Sequence, residues 1–251
     1  MRTISFSRTA EAVERLCIRA MCMLPPEVVM LLECACDEED NDAARAHLTA
    51  LYDNCIACGL QERPVCREPS RAILIAGGAL AVEGGLEAAA REGLRRAIEQ
   101  GMPLTGELEI RIDGDGTALT LIPACPRSES ASFSCGLVPG PLEEQVVEFL
   151  SNALRMCPHR QCFPAFIGLG LGASEDEALR LARDALRRPM DSENGAPALA
   201  ALERTALETL CAMDPVGNFS VLSVNVNAGK AVDFCAALIG CHAVRRASME
   251  L

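Results

Sequence analysis

The sequence predicts a mixed α and β protein in which a helical N-terminal part is followed by alternating strands and helices. Two observations indicate this fold class. Residues 9–60 show the apolar spacing of helices, whereas short apolar or alternating runs typical of strands appear only after residue 70. The pattern contains no repeat, low-complexity tract or clear linker, so we expect a single domain spanning residues 1–251.

Three helices account for the N-terminal part. Thr9 is the expected N-cap of the first helix, because apolar residues recur at helical spacing directly after it. Pro25 and Pro26 end this helix and open a second one over residues 28–36. A third helix is predicted over residues 43–58, after an acidic stretch that is typical of a solvated helix start.

The remaining elements alternate between the two types. Strands are predicted over residues 72–76, 107–112, 117–122, 165–171 and 219–226. Helices are predicted over residues 85–100, 141–156, 174–188 and 197–212. The Asp-Gly-Asp-Gly sequence at residues 113–116 indicates that the strands on either side form a hairpin. Ser174 is expected to cap its helix as part of a capping box with Glu177.

Composition excludes several classes of partner. The 251 residues carry a formal net charge of −12, which argues against nucleic acid or an anionic membrane as the main partner. This charge is compatible with a small anionic substrate, because a pocket can be locally basic. No apolar run reaches the roughly 20 residues of a membrane span, and the N-terminus lacks a secretory apolar segment. We therefore expect a cytoplasmic protein.

Fourteen cysteines are a high number for such a chain. Without an export signal, most are expected to be small core hydrophobes in a reducing cell, such as that of an anaerobe. The Cys-x-x-Cys at residues 55–58 lacks the second knuckle that a structural zinc site requires. The alternative for a few of the cysteines is iron–sulfur ligation.

Three cysteines stand at breaks in regular structure. Cys66 lies in Arg-Pro-Val-Cys-Arg-Glu-Pro, Cys162 in Gln-Cys-Phe-Pro, and Cys241 in Gly-Cys-His-Ala-Val-Arg-Arg. Irregular backbone beside Pro and Gly leaves amide N–H groups that can bond to cluster sulfides. These three cysteines are therefore the candidate ligands of an iron–sulfur cluster.

Two further features allow more than one interpretation. The glycine run at residues 168–172 could bind an anion at the start of the following helix, or form a tight strand–helix turn. Histidine is scarce, with His47, His159 and His242. Such isolated histidines are more often surface or hydrogen-bonded residues than catalysts.

Four ordered motifs connect these cysteines to a known family. Residues 24–28 read Leu-Pro-Pro-Glu-Val, residues 63–66 Arg-Pro-Val-Cys, residues 162–172 Cys-Phe-Pro-Ala-Phe-Ile-Gly-Leu-Gly-Leu-Gly, and residues 241–246 Cys-His-Ala-Val-Arg-Arg. Over nearly its whole length the chain resembles the alpha subunit, or N-terminal domain, of the class I fumarase and L-tartrate dehydratase iron–sulfur hydro-lyases.

The resemblance implies a fold, a cofactor and a reaction. The fold would be the alpha-type catalytic domain of these hydro-lyases. Cys66, Cys162 and Cys241 would hold a 4Fe–4S cluster whose remaining iron is open to substrate, and aerobic preparation could remove this cluster. The reaction would be the reversible hydration or dehydration of a small hydroxy (di)carboxylic acid. The partner would be a beta-type subunit or a second copy of the chain.

The chain departs from the family at the segments expected to contact substrate. The family's Gln-Asp-Thr-Gly is replaced by Arg-Glu-Pro-Ser at residues 67–70, and a family segment is missing around residues 103–106. Two other family motifs are reduced, at residues 127–130 and 216–219.

The acid/base and carboxylate-binding groups must then come from other residues. Glu68 is the candidate acid/base residue, and Lys230 and Arg245 are candidate carboxylate-binding residues. The alternative interpretations are a solvated Lys230 in a turn and an Arg245 at the end of a final helix. A non-catalytic paralogue acting as a cluster-binding sensor, scaffold or partner subunit is the alternative function.

Overall fold

The computed structural model describes residues 3–126, 131–157, 162–213 and 221–251. It is a mixed α and β fold with a helical N-terminal part followed by alternating strands and helices, so the predicted fold class is confirmed. The helices are α1 (Phe6–Cys22), α2 (Pro26–Glu38), α3 (Asp42–Gln61), α4 (Leu86–Glu99), α5 (Leu142–Met156), α6 (Glu175–Leu186) and α7 (Pro197–Ala212). The strands are β1 (Thr3–Ile4), β2 (Ser70–Ala76), β3 (Ala81–Val82), β4 (Leu104–Ile112), β5 (Ala118–Ala124), β6 (Ser132–Gly136), β7 (Ala165–Gly172), β8 (Val221–Ala228), β9 (Phe234–Cys241) and β10 (Ala247–Glu250).

The chain divides into two compact units. Unit 1 comprises Met1–Pro25, Asp53–Pro126 and Arg245–Leu251, and unit 2 comprises Pro26–Tyr52 and Arg127–Val244. Each unit has its own four-stranded sheet. The assignment of residues 1–251 to one alpha-type domain stays a prediction.

The first helix begins earlier than predicted. Ser5, not Thr9, is its N-cap, and the Ser5 Oγ accepts a hydrogen bond from the Arg8 backbone N at 3.4 Å. Thr9 is buried inside the helix, where its hydroxyl donates to the Ser5 carbonyl at 3.2 Å. A threonine hydroxyl that bonds to a carbonyl of the preceding turn has its hydrogen-bonding capacity satisfied within the helix. Such a threonine does not have to stand at the first position of the helix.

The sheet of unit 1 has the strand order β10-β5-β2-β4. Strand β2 pairs in parallel with β4 and antiparallel with β5. The predicted hairpin between β4 and β5 is therefore wrong, because β2 lies between them. The face of this sheet formed by Ala72, Leu74 and Ala76 packs against α1 and α4 in one apolar cluster.

The connection from β4 to β5 crosses the end of β2. The Asp113 N donates to the Ala76 carbonyl at 2.9 Å, and the Gly77 N donates to the Ala118 carbonyl at 2.9 Å. A Cβ on Gly77 would lie 2.0 Å from the Gly116 carbonyl oxygen, so the two backbones can approach only because glycine is present. The Asp-Gly-Asp-Gly segment is a crossing over a third strand, not a two-strand turn.

The sheet of unit 2 has the strand order β6-β9-β7-β8. Strand β7 is buried along its whole length, with β9 antiparallel on one side and β8 parallel on the other. One face of the sheet packs against α5 and α7 through the odd-numbered side chains Ile167, Leu169 and Leu171. The other face packs against α6.

The glycine run of β7 provides the contact with α6. A Cβ on Gly168 would lie 2.1 Å from the Ala182 carbonyl oxygen, and a Cβ on Gly170 would lie 1.9 Å from the Ala178 carbonyl oxygen. These glycines alternate along the strand and share one face. Both interpretations of the run, an anion-binding loop and a tight turn, are therefore wrong. The turn follows the run, and the Ser174 Oγ caps α6 by accepting from the Glu177 N at 3.3 Å, as predicted.

The backbone N–H and carbonyl of Val226, on the outer strand β8, bond to the side chains of Glu203 and Arg188. The Glu203 carboxylate accepts from the Val226 N at 2.7 Å and from the Arg188 guanidinium at 2.8 Å. The Arg188 guanidinium also donates to the Val226 carbonyl at 3.0 Å. These contacts use backbone groups that an edge strand would otherwise offer to another chain.

Several strands have no counterpart among the sequence predictions. β1, β3, β6, β9 and β10 were not predicted, and residues 247–250 form β10, paired antiparallel with β5, where a final helix was the alternative considered. The start of the predicted strand 219–226 lies outside the described residues. No helix among the described residues combines the length and apolarity that crossing a membrane requires.

Replacing Gly170 with alanine is predicted to destabilise unit 2. The added methyl group would meet helix backbone, which cannot rotate away as a side chain can, and overpacking of this kind costs about 3 kcal/mol or more. Gly195→Ala is the matched control, because nothing lies within 4 Å of its added Cβ. Urea unfolding should show a large loss of stability for Gly170→Ala and none for Gly195→Ala. Equal midpoints for the two variants would contradict the packing explanation.

Candidate metal-binding and substrate site

Cys162 and Cys241 meet at one end of the sheet of unit 2. Cys162 lies three residues before Ala165, the first residue of β7, and Cys241 is the last residue of β9. Ala165 and Cys241 are directly paired across the two antiparallel strands. Both cysteines are half-buried. The structure thus brings together two of the three predicted ligands within one unit.

Two histidines bind the backbone beside Cys162. The His242 Nδ1 lies 3.0 Å from the Cys162 carbonyl oxygen, and the His242 backbone N donates to the same oxygen at 3.3 Å. The His47 Nε2, from α3, lies 3.0 Å from the Phe163 carbonyl oxygen. Phe163 itself packs against an apolar cluster that includes Ala165 and Ile239. The segment with Cys162 is therefore anchored on both its polar and its apolar side.

Cys66 belongs to unit 1 and is half-buried in the connection between α3 and β2. Two contacts hold the residues that directly precede the cysteine in this connection. The Val65 N donates to the Met21 carbonyl at 3.0 Å, and the Cys58 thiol lies 3.7 Å from the Pro64 carbonyl oxygen. As predicted, the residue sits in irregular backbone.

Glu68 and Arg245 are linked through Ser70 in unit 1. The Ser70 hydroxyl donates to the Glu68 backbone carbonyl at 3.2 Å, and the Arg245 guanidinium donates to the Ser70 Oγ at 3.3 Å. The Glu68 side chain is half-buried. The segment that carries the candidate carboxylate is therefore tied to the C-terminal segment of the chain.

Arg245 is buried, with 4% of its surface exposed. Its guanidinium contacts the Met21 Sδ at 3.3 Å as well as Ser70, both neutral groups, and its Nε has no hydrogen-bond partner among the described residues. The alternative interpretation, a charged end of a final helix, is wrong. Among the described residues, Arg245 therefore places a guanidinium inside unit 1 with no carboxylate in contact with it.

Lys230 lies far from the two cysteines of unit 2. It is exposed in the turn after β8, and β8 runs parallel to β7. Cys162 precedes the start of β7, so Lys230 and Cys162 occupy opposite ends of the sheet. Eight residues of strand separate these ends, a span of roughly 25 Å. Within unit 2, the structure does not bring Lys230 together with Cys162 and Cys241.

The other eleven cysteines are mostly buried, as predicted. The buried ones are Cys17, Cys22, Cys55, Cys58, Cys125, Cys157 and Cys235. Burial, with a contribution from Glu14, raises the pKa of Cys17 to about 12. Burial and the nearby Cys58 raise the pKa of Cys55 to about 12. These thiols stay protonated at neutral pH, and a protonated thiol is a poor metal ligand.

The donor set of unit 2 fits an iron–sulfur cluster. Cysteine sulfur is the usual protein ligand of such clusters, and the half-buried Cys162 and Cys241 stand on adjacent chain segments at a strand end. Among the described residues of either unit, no three His, Cys, Asp or Glu side chains are grouped to hold a single metal ion. His159 and the reduced family motifs at residues 127–130 and 216–219 lie outside the described residues.

Comparison with protein families identifies the class of protein. The model of the family described as fumarate hydratase (Fumerase) matches residues 10–104 and 100–250. The chain therefore belongs to this family, the class I iron–sulfur type of fumarate hydratase, as the motifs predicted. A comparison with curated proteins gave no match.

The two parts of the family match meet at residues 100–104. This is the position where the sequence motifs indicated a missing family segment. In the structure, α4 ends at Glu99 and β4 begins at Leu104, so the break falls in the short connection between them. The shortened segment therefore leaves both elements of unit 1 intact.

Sequence reasoning missed the role of two histidines. His242 stood inside the terminal motif, so its position beside Cys241 was a usable signal. His47 gave none, because it contacts a carbonyl 116 residues away. His47 and His242 are both hydrogen-bonded. The sequence analysis favoured this role over a catalytic one for isolated histidines.

The buried thiols predict a loss of stability in alkali. In the unfolded chain a thiol loses its proton near pH 8.5, whereas Cys17 holds its proton until about pH 12. The unfolded state therefore binds fewer protons above pH 8.5, and the free energy of unfolding must fall as pH rises toward 12. With one lysine and one tyrosine in the chain, cysteines dominate titration in this range.

Urea unfolding at about pH 8 and about pH 10 measures this effect. Cys17→Ala should reduce the decline in stability between the two pH values by about 2 kcal/mol. Cys34→Ala is the control, because Cys34 is exposed and should leave the decline unchanged. The same decline in Cys17→Ala as in the wild type would contradict the raised pKa.

Proposed function

We propose that the chain is an iron–sulfur hydro-lyase subunit that catalyses the reversible hydration or dehydration of a small hydroxy (di)carboxylic acid. The observation that carries the proposal is the juxtaposition of Cys162 and Cys241 in a chain of the fumarate hydratase family. These two residues and Cys66 are the proposed ligands of a 4Fe–4S cluster.

When bound, such a cluster supplies an open iron that acts as a Lewis acid toward a hydroxyl and a carboxylate. The chain supplies the base. Glu68 is the proposed base, and its carboxylate takes a proton from the carbon next to the hydroxyl-bearing carbon. Loss of the hydroxyl with that proton gives water and an unsaturated acid. The bond from Ser70 to the Glu68 carbonyl supports this role, because it anchors the main chain of the base.

A carboxylate substrate also requires positive charge. Arg245 is the proposed source, because its guanidinium is buried, has only neutral described contacts and is linked through Ser70 to the Glu68 segment. It acts through its electrostatic potential and through Ser70. Lys230 was the other cationic candidate, and its place at the far end of the unit 2 sheet favours leaving it out of the mechanism.

The second candidate is a non-catalytic member of the family that binds a cluster as a sensor, scaffold or partner subunit. The observation that favours it is the change at residues 67–70, where only Glu68 retains a carboxylate from the family motif. Cluster ligands are retained under this alternative, whereas the acid/base function is lost. The two candidate functions therefore predict different turnover but the same iron content.

The proposed partner is a beta-type hydro-lyase subunit or a second copy of the chain. The proposed location is the cytoplasm of a reducing cell, because fourteen cysteines tolerate oxidation poorly. An assay of activity should therefore be made anaerobically, both with and without a beta-type partner.

Anaerobic reconstitution with iron and sulfide tests the ligand set. The wild type is expected to bind about four iron and four sulfide per chain. Cys66→Ser, Cys162→Ser and Cys241→Ser should each lose most of this content, because serine is a poor ligand for iron in a cluster. Cys34→Ser, at an exposed cysteine outside the set, should bind as the wild type does. Full iron content in any of the three ligand variants would remove that cysteine from the site.

Turnover tests Glu68. In the reconstituted protein with its partner, Glu68→Gln should lower kcat for dehydration of a hydroxy acid by about a hundredfold or more, because an amide cannot accept the proton. Iron content should stay unchanged. Glu107→Gln, at an exposed glutamate in unit 1, is the control. Unchanged kcat in Glu68→Gln would remove Glu68 from the mechanism, and no wild-type turnover across a panel of hydroxy acids would favour the non-catalytic candidate.

A further inference from the structure

Consecutive carbonyl groups at residues 162 and 163 each contact a histidine ring. The His242 Nδ1 lies 3.0 Å from the Cys162 oxygen, and the His47 Nε2 lies 3.0 Å from the Phe163 oxygen. The two histidines come from different parts of unit 2, one from α3 and the other from the residue after β9. Two separate elements thus converge on a single dipeptide.

The chemistry of the partners defines the proton positions. A carbonyl oxygen only accepts hydrogen bonds, so the ring nitrogen that faces it must carry a hydrogen. His242 therefore carries a proton on Nδ1 and His47 on Nε2. Both rings are donors, and neither contact depends on a charged imidazole.

These contacts determine the direction in which Cys162 points. The bonds to the Cys162 carbonyl hold the peptide plane between residues 162 and 163, and the bond to the Phe163 carbonyl holds the next plane. The His242 backbone N adds a third bond, at 3.3 Å, to the Cys162 oxygen. Both planes follow Cys162 along the chain, so the bonds fix the position of its Cα and limit the directions open to its Cα–Cβ bond.

We propose that His242 and His47 are positioning residues that hold the Cys162 thiol in the orientation required of a cluster ligand. The inference rests on the proposed function and goes beyond it, because it assigns a role to residues that are not ligands. Groups that orient the first ligands of a metal commonly change its affinity by about tenfold to a hundredfold when removed.

The two histidines should contribute unequally. His242 is half-buried and adjacent to Cys241, whereas His47 is exposed on α3. A hydrogen bond in contact with water competes with solvent, so its loss costs less. The effect of removing the His242 ring should therefore exceed that of removing the His47 ring.

Paired variants separate positioning from general structural support. His242→Leu and His47→Leu remove the donor. His242→Asn and His47→Gln retain it, because the amide nitrogen of Asn replaces Nδ1 and that of Gln replaces Nε2. Circular dichroism and urea unfolding of all four variants identify any that fail to fold, and the two conservative variants keep the proposal testable in that case.

The first readout uses the protein without metal. The alkylation rate of Cys162 by iodoacetamide, measured by peptide mass mapping at one fixed pH, is divided by the rate of the exposed Cys34 in the same sample. His242→Leu should change this ratio by about fivefold, the equivalent of one lost hydrogen bond. His47→Leu should change it less, and both conservative variants should restore it.

The second readout is the loss of iron from anaerobically reconstituted protein to a chelator, followed by the visible absorbance of the cluster. His242→Leu should lose iron about tenfold faster than the wild type, and His242→Asn at nearly the wild-type rate. Wild-type behaviour of the leucine variants in both readouts would overturn the proposal, as would a failure of the folded conservative variants to restore either one. If the wild type binds no iron, the proposed function fails, and the alkylation ratio still decides whether the histidines position Cys162.

Discussion

The close approach between β7 and α6 is the contact on which the rest of unit 2 depends. Alternate residues of β7 are glycines, and a side chain at Gly168 or Gly170 would overlap the carbonyl groups of the helix. Because Gly168 and Gly170 lack Cβ atoms, the backbone of α6 packs directly against the backbone of β7 at these positions. The opposite face of the same strand carries leucine and isoleucine into the core formed with α5 and α7. The strand is therefore buried on both faces and has a single register.

This register determines where the candidate ligands lie. Because β9 is antiparallel to β7, the start of one strand and the end of the other fall at the same edge of the sheet. Cys162 and Cys241 flank these two termini. They are distant in sequence and become neighbours because both strands are held in place by the packing of α6. The candidate metal site is thus a consequence of a glycine-dependent contact at the centre of the sheet.

The cysteines divide by environment into two chemical groups. Those inside the apolar clusters, such as Cys17 and Cys22, have a raised pKa and behave as small hydrophobic residues. The three candidate ligands are all half-buried and lie outside the regular core positions. A metal ligand must be able to lose its proton and be reached by iron. Burial therefore removes the seven buried cysteines from the candidate ligands, and position at a strand end or in irregular backbone distinguishes the three proposed ligands from the other accessible cysteines.

Unit 1 presents a different arrangement around its candidate residues. The buried Arg245 has neutral neighbours, and its link through Ser70 reaches the backbone of Glu68. A buried guanidinium without a carboxylate partner is costly in folding. Such a cost is consistent with a residue retained for electrostatics more than for stability.

The sequence by itself determined the elements and the ligand candidates, because both depend on local patterns. Apolar periodicity placed the helices, continuous apolar runs placed β2 and β7, and alternation placed β4, β5 and most of β8. Pro and Gly neighbours marked Cys66, Cys162 and Cys241 as lying in irregular backbone. The motifs in chain order were sufficient for the family. Ser174 was recognisable as a cap because its partner is three residues away.

The tertiary structure alone decided the relations between distant segments. The predicted hairpin was wrong because β2 inserts between β4 and β5, and local turn chemistry carries no information about a third strand. The interpretation of the glycine run was wrong because the run packs against the backbone of α6. The sequence of the run carries no information about which helix lies against it. The contacts of His47 and of the buried Arg245 gave no signal, since their partners are 116 and 175 residues away. Local sequence sets the conformation of a segment, and only packing decides which other segment it meets.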